Sequence, residues 1–102
     1  MPVPKLYQIK PAVRAYLYSE GERLIQQAEH QDAAFDDCEI RSRSGRRIRS
    51  LAGQGICEEP TISPDAHSSL YDYTVAKLTK EGAHLLGEVM RRCIPDGRIL
   101  RD

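Results

Sequence analysis

The sequence contains no tryptophan and one phenylalanine, so five tyrosines are its main large aromatic building blocks. It has no apolar run near the roughly 18 residues that a membrane-crossing helix needs, and its start, MPVPKLYQIKP, lacks the apolar stretch of a secretion signal. The expectation is a protein of the cytoplasm with no membrane partner. Charge of one sign is not in excess: the formal net charge is zero, so no long-range field draws the chain toward an anionic partner. Cysteine is sparse and odd in number. Cys38, Cys57 and Cys93 lie far apart, as do His30, His67 and His84, and no CxxC or HxxxH pair points two ligands at one ion. This pattern predicts reduced thiols, no disulfide framework, no metal and no cofactor.

What is present reads as one α+β domain spanning 1–102, since 102 residues suffice for a single modest core. Pro11 suits a first helical position, and Val13, Leu17, Leu24, Ile25 and Ala28 recur at helical spacing beside Tyr16, which predicts a helix over 11–30. Gly21 weakens that helix by about 1 kcal/mol relative to alanine and marks a bend or a close approach. After a break at HQDAA, Phe35, Cys38 and Ile40 face inward in a short helix over 35–43, with Asp36 and Asp37 near its start. Later, ICEEPTI at 56–62 is a strand that Pro60 marks as an edge. The turn residues SPDAHSS follow. In LYDYTVAKLT, Tyr71, Tyr73, Val75 and Lys77 alternate with Leu70, Asp72, Thr74, Ala76 and Leu78, a strand over 70–78. Thr79 then caps a helix over 80–93 whose apolar side is Ala83, Leu85, Leu86, Val89, Met90 and Cys93.

The distinctive segment is RSRSGRRIRSLAGQG, with five arginines between residues 41 and 49. Two readings of 40–51 compete. A hairpin turning at Ser44-Gly45 places Arg41, Arg43, Arg47 and Arg49 on one parity, but leaves one or two apolar residues to anchor either strand. A helix over 46–53 gathers Ile48, Leu51 and Ala52 on one side and Arg46, Arg49, Ser50 and Gly53 on the other, with Arg47 on the flank. Gly55 then supplies a left-handed stop and Ile56 returns the chain to the core. The helix is preferred.

With that choice, GRRIRSLAGQGICEE resembles the end of a recognition helix, its glycine stop and a first wing strand, and YTVAKLTKEGAHLL resembles a second wing strand entering a following helix. In order and spacing, residues 10–93 resemble a winged helix-turn-helix domain: helix, short helix-turn-helix, two-stranded wing, C-terminal helix. The resemblance implies a small regulator or mobile-element accessory protein that binds double-stranded DNA, with one helix in the major groove and the wing on the backbone. It implies that Arg46, Arg49 and Ser50 face the groove while Arg41, Arg43 and Arg47 serve phosphates. Guanidinium forks suit both roles. The loop over 63–69 has no lysine or arginine, so wing contacts fall to His67, Ser68 and Ser69.

Other classes weigh against this reading. Arginines of such a run also serve as a solvated surface paired with Asp36, Asp37, Glu39 or Glu58. The same fold shape serves as a protein-protein interaction module without nucleic acid, and Tyr16, Tyr18, Tyr71 and Tyr73 offer a docking surface. Leu6, Ile9, Ile94, Ile99 and Leu100, outside the resembling stretch or at its edge, offer apolar surface for a homodimer. No enzyme is expected: Asp65, His67 and Ser68 are loop neighbours rather than groups converging from separate elements, and GRRIRSLAGQG lacks the lysine and spacing of a phosphate-binding loop.

Overall fold

In the computed structural model, residues 3–27, 35–65 and 68–100 are described, with the backbone alone at 64, 65 and 68–71. Helix α1 runs Pro11–Gln27, strand β1 Glu39–Ser42, helix α2 Gly45–Gly53, strands β2 and β3 Thr61–Asp65 and Ser68–Lys77, and helix α3 Lys80–Arg92. A 3-10 turn at Leu6–Gln8 precedes them. The architecture is α+β, with three helices and one antiparallel sheet in the order β1-β3-β2.

The expected short helix over 35–43 is not formed. Residues 36 and 37 make a turn in which Asp37 takes a left-handed φ of 64°, a conformation that aspartate tolerates better than most residues. The chain then enters β1, where Glu39, Ile40, Arg41 and Ser42 pair with Lys77, Ala76, Val75 and Thr74. The 40–51 segment thus combines the strand half of the hairpin reading with the helix half of the alternative, and no helix precedes α2 across the Ser44-Gly45 turn. A second difference lies in the ribbon. Cys57 makes a single bridge to Leu78, and β2 begins only at Thr61 and continues through the expected turn residues to Asp65. The end of the expected first helix at 28–30, the break at 30–34, His67 and the side chain of Tyr71 fall outside the described residues.

The sheet is two-faced because its period is two. Ile40, Thr74 and Ala76 are buried on one face, where α2 packs against β1 and β3. Arg41, Tyr73, Val75 and Lys77 occupy the other. Leu17, Ile40, Ile48, Leu51, Ile56, Leu86 and Val89 are the fully buried centre of the core, drawn from all three helices, β1 and the loop after α2. Gly55 has the expected left-handed φ, 78°, and Ile56 returns inward.

Two close approaches fix the helices. At Gly21, α1 meets α3 so tightly that an added Cβ would stand 2.3 Å from Met90 Sδ, so the glycine marks packing rather than a bend. At Gly82, a Cβ would stand 1.8 Å from the Ile56 carbonyl oxygen. Thr79 explains why that carbonyl is there. Its backbone N–H donates to Ile56 O at 3.1 Å and its hydroxyl donates to Gly55 O at 2.6 Å, while Thr79 Oγ1 accepts from Gly82 N–H at 2.9 Å as the cap of α3.

Candidate nucleic-acid interface

Helix α2 owes its start to Ser44, whose backbone is extended and whose side-chain Oγ accepts the Arg47 N–H at 3.4 Å. From there the 3.6-residue period sorts the arginines. Ile48 and Leu51 are buried, and Arg46, Arg49, Ser50 and Gly53 are exposed on the opposite side, as the helical reading expects. Ser50 Oγ is not idle, since Gln54 Nε2 donates to it at 3.3 Å.

The structure divides the arginine run into three groups. Arg41 lies on the sheet face away from the core and Arg43 in the bend after β1, and each guanidinium carbon is 4.5 Å from the Tyr73 ring centroid. Arg43 Nη2 also donates to Tyr73 Oη at 3.1 Å. Arg47 turns toward α1. Its guanidinium carbon is 5.1 Å from the Tyr16 ring and its Nη1 donates to Ala12 O at 3.4 Å. Arg46 and Arg49 project outward from α2, with Arg49 close to Gly45. Arg41, Arg46, Arg47 and Arg49 form no ion pair among the described residues. Ion pairs there include Arg23–Glu20, Lys77–Asp37, Arg92–Glu88 and Arg98–Asp96. Asp37 is therefore turned to Lys77 rather than to the arginine run.

Between α1 and α2 lies a depression of about 260 Å³ lined by Val13, Ser44, Arg46, Arg47, Ser50 and Leu51. Its volume is below the roughly 300–1,000 Å³ of ordinary small-molecule sites. It is a cationic crease on a surface. No group of His, Cys, Asp and Glu among the described residues has the geometry to hold a metal ion, and no helix there is long and apolar enough to cross a membrane. The chain matches no protein-family model, no curated protein and no solved structure in the comparisons made with known proteins.

The residues that hold this surface in place were not singled out by their spacing. Strand β1 is an edge, and its outward backbone groups are satisfied by α1 instead of by another strand. Glu20 Oε1 accepts the Arg41 N–H at 2.7 Å, Tyr16 Oη donates to Arg41 O at 2.7 Å, and Arg23 Nη2 donates to Glu39 O at 3.1 Å. Arg23 also pairs with Glu20 at 2.9 Å. Burial holds the Tyr16 phenol well above its ordinary range, the Glu20 carboxylate adds to that, and Arg47 opposes it. Tyr16, Glu20 and Arg23 lie at i, i+4 and i+7, which is the one sequence signal that placed them on a common helix face.

Of the docking residues considered for partners, Leu6 and Ile9 are buried in the chain's own core. They leave Ile94, Ile99 and Leu100 of the apolar set that a homodimer was expected to use. Leu100 is half exposed, while Ile99 packs partly on the core.

Proposed function

We propose that the protein binds double-stranded DNA through the outward face of α2, in a reduced form of the winged helix in which a strand stands where the first helix of the helix-turn-helix is expected. In this reading α2 enters the major groove with Arg46, Arg49 and Ser50 toward the bases, Arg41, Arg43 and Arg47 meet flanking phosphates, and the β2–β3 ribbon acts as the wing. The observation that carries it is that Arg46 and Arg49 stand on the solvent side of α2 with no carboxylate partner among the described residues. An ordinary solvated surface would be expected to pair at least some of these charges with the acidic residues that flank the run.

A second support is electrostatic. The first turn of α2 holds no acidic residue, and Arg46 and Arg47 sit in it. Cations at that end oppose the helix dipole, by about 0.3–1 kcal/mol each, and a bound phosphate removes the conflict.

The test is fluorescence anisotropy with a labelled random duplex over a series of salt concentrations. Binding is expected at low salt and to weaken steeply as salt rises. Arg46→Ala with Arg49→Ala is expected to weaken binding by about 1–3 kcal/mol for each base-facing arginine lost. Affinity unchanged in the double variant would overturn the proposal and assign the fold to protein-protein interaction.

A further inference from the structure

Arg14 is nine-tenths buried, yet it meets no carboxylate among the described residues. Its Nε donates to Gly97 O at 2.6 Å, and its Nη1 donates to Ile9 O and, at 3.4 Å, to Leu6 O. These bonds tie the start of the domain to the loop after α3. Gly97 is required for that closure, because its φ is +88° and a Cβ there would stand 2.1 Å from Pro11 O. Carbonyl dipoles solvate the cation in part, but they do not neutralise it.

The third nitrogen, Nη2, donates to no partner among the described residues. It is not sealed in, since no buried side-chain nitrogen or oxygen among the described residues lacks a partner. Arg14 lines a depression of about 620 Å³ whose other walls are Ile94, Arg98, Ile99 and Leu100. Arg98 contributes little net charge, because its Nε pairs with Asp96 Oδ2 at 2.7 Å. The depression thus combines three aliphatic walls with the buried Arg14 cation, whose Nη2 has no partner among the described residues, and the exposed, Asp96-paired Arg98.

We infer that this depression binds a small aliphatic carboxylate, with the carboxylate on Arg14 Nη2 and the alkyl chain along Ile94, Ile99 and Leu100. A monoanion fits better than a phosphate for two reasons. With Nε and Nη1 occupied, the guanidinium has no free fork for bidentate pairing. A phosphate dianion would also bring a second charge and two further oxygens against three aliphatic walls, where Arg98, whose charge Asp96 already balances, is the other polar lining residue. The site shares no residue with the arginine face of α2, so it stands or falls apart from DNA binding.

The experiment is a titration of the full chain with sodium hexanoate, followed by the methyl resonances of Ile94, Ile99 and Leu100. Saturable shifts confined to that cluster are expected. Hexanol, which has the same chain and no charge, should bind about tenfold more weakly, the margin of a charge-assisted hydrogen bond. Leu100→Glu sets a carboxylate at the mouth and should weaken hexanoate by about tenfold or more without lowering thermal stability, since that residue is half exposed. It keeps the test valid where an Arg14 variant fails to fold. Equal binding of hexanol and hexanoate, equal competition by inorganic phosphate, or no saturable shift up to about 10 mM would each overturn the assignment.

Discussion

Tyr73 lies against two arginines, one in β1 and one directly after it: the guanidinium carbons of Arg41 and Arg43 are each 4.5 Å from its ring centroid. Register explains the arrangement. Tyr73 stands on the same sheet face as Arg41, whose partner is Val75, and Arg43 follows directly after the last pair, Ser42 with Thr74. The ring holds two long cationic side chains in place, which in the proposed complex would lower the conformational freedom they lose on meeting phosphate.

Tyr73→Leu removes the ring's electrostatic attraction for two cations and is expected to cost about 1–2 kcal/mol of stability, at roughly 0.5–1 kcal/mol for each contact. Tyr73→Phe keeps the ring and loses the bond from Arg43 Nη2 at 3.1 Å, for a cost near 1 kcal/mol or less. Urea unfolding of the two variants beside the parent measures the difference. Equal losses would mean that the hydroxyl, not the ring face, holds the arginines.

Two glycines make a paired prediction about backbone. Gly82→Ala drives a methyl into the Ile56 carbonyl, which the Thr79 bonds hold in place, so α3 must shift and a loss of more than about 3 kcal/mol is expected. Gly53→Ala, at the exposed end of α2 with nothing within 4 Å of the new carbon, is expected to stabilise by about 0.5 kcal/mol. Thermal unfolding of both variants decides the pair, and a tolerated Gly82→Ala would show that the close approach at Ile56 can relax.

The helices were largely legible because each carries a local period and a local stop. Pro11, Thr79 and Gly55 each act where the sequence suggests, and Ile48 and Leu51 face inward as the 3.6-residue period requires. Strand β1 was not legible, and the reason is physical. It has four residues, of which Ile40 alone is fully buried, and its hydrogen-bonding partner β3 begins more than twenty residues downstream. Its other edge is completed by Tyr16, Glu20 and Arg23, side chains on a helix that ends before it. An edge closed in this way resists pairing with other chains and needs no run of apolar residues to exist. The outward arginines of α2 followed from the period alone, whereas the Tyr73 contacts with Arg41 and Arg43 depended on a register that only the folded sheet defines.

The Cys57 thiol sets an alkaline limit on stability. It is buried, it donates to Ile48 O at 3.6 Å, and burial, with Glu58 adding, raises its pKa from 9.0 to about 11. Between those values the unfolded chain has lost the proton and the folded chain has kept it. Stability is therefore fully present below pH 9 and falls as pH rises toward 11, with a slope of at most about 1.4 kcal/mol per pH unit from this group. Cys57→Ala should be less stable at pH 7 but show a shallower decline from pH 9 to 11. Tyr16, whose phenol is also raised by burial, keeps some decline at the upper end. Urea midpoints across that range measure it, and parallel declines in parent and variant would remove Cys57 as the cause.

A last prediction separates what the fold favours from what the proposed ligand favours. Arg46 sits in the first turn of α2, directly after the Ser44 cap and Gly45, where partial positive charge from unpaired backbone N–H groups accumulates. It is exposed and forms no ion pair among the described residues, so the folded chain alone gains little from a cation there. Arg46→Glu removes an unfavourable charge and adds a favourable one beside Arg47 and Arg49. The free protein should gain about 1 kcal/mol, a rise of about 5 °C in Tm for a domain of this size. In the proposed complex the same substitution sets a carboxylate in the anionic major groove, so duplex binding at low salt should be lost. Stability up and binding down would mark Arg46 as a residue whose side chain suits an anion outside the protein. A loss of stability would instead reveal a structural partner for its guanidinium, and the DNA-binding surface would then have to be sought elsewhere on the molecule.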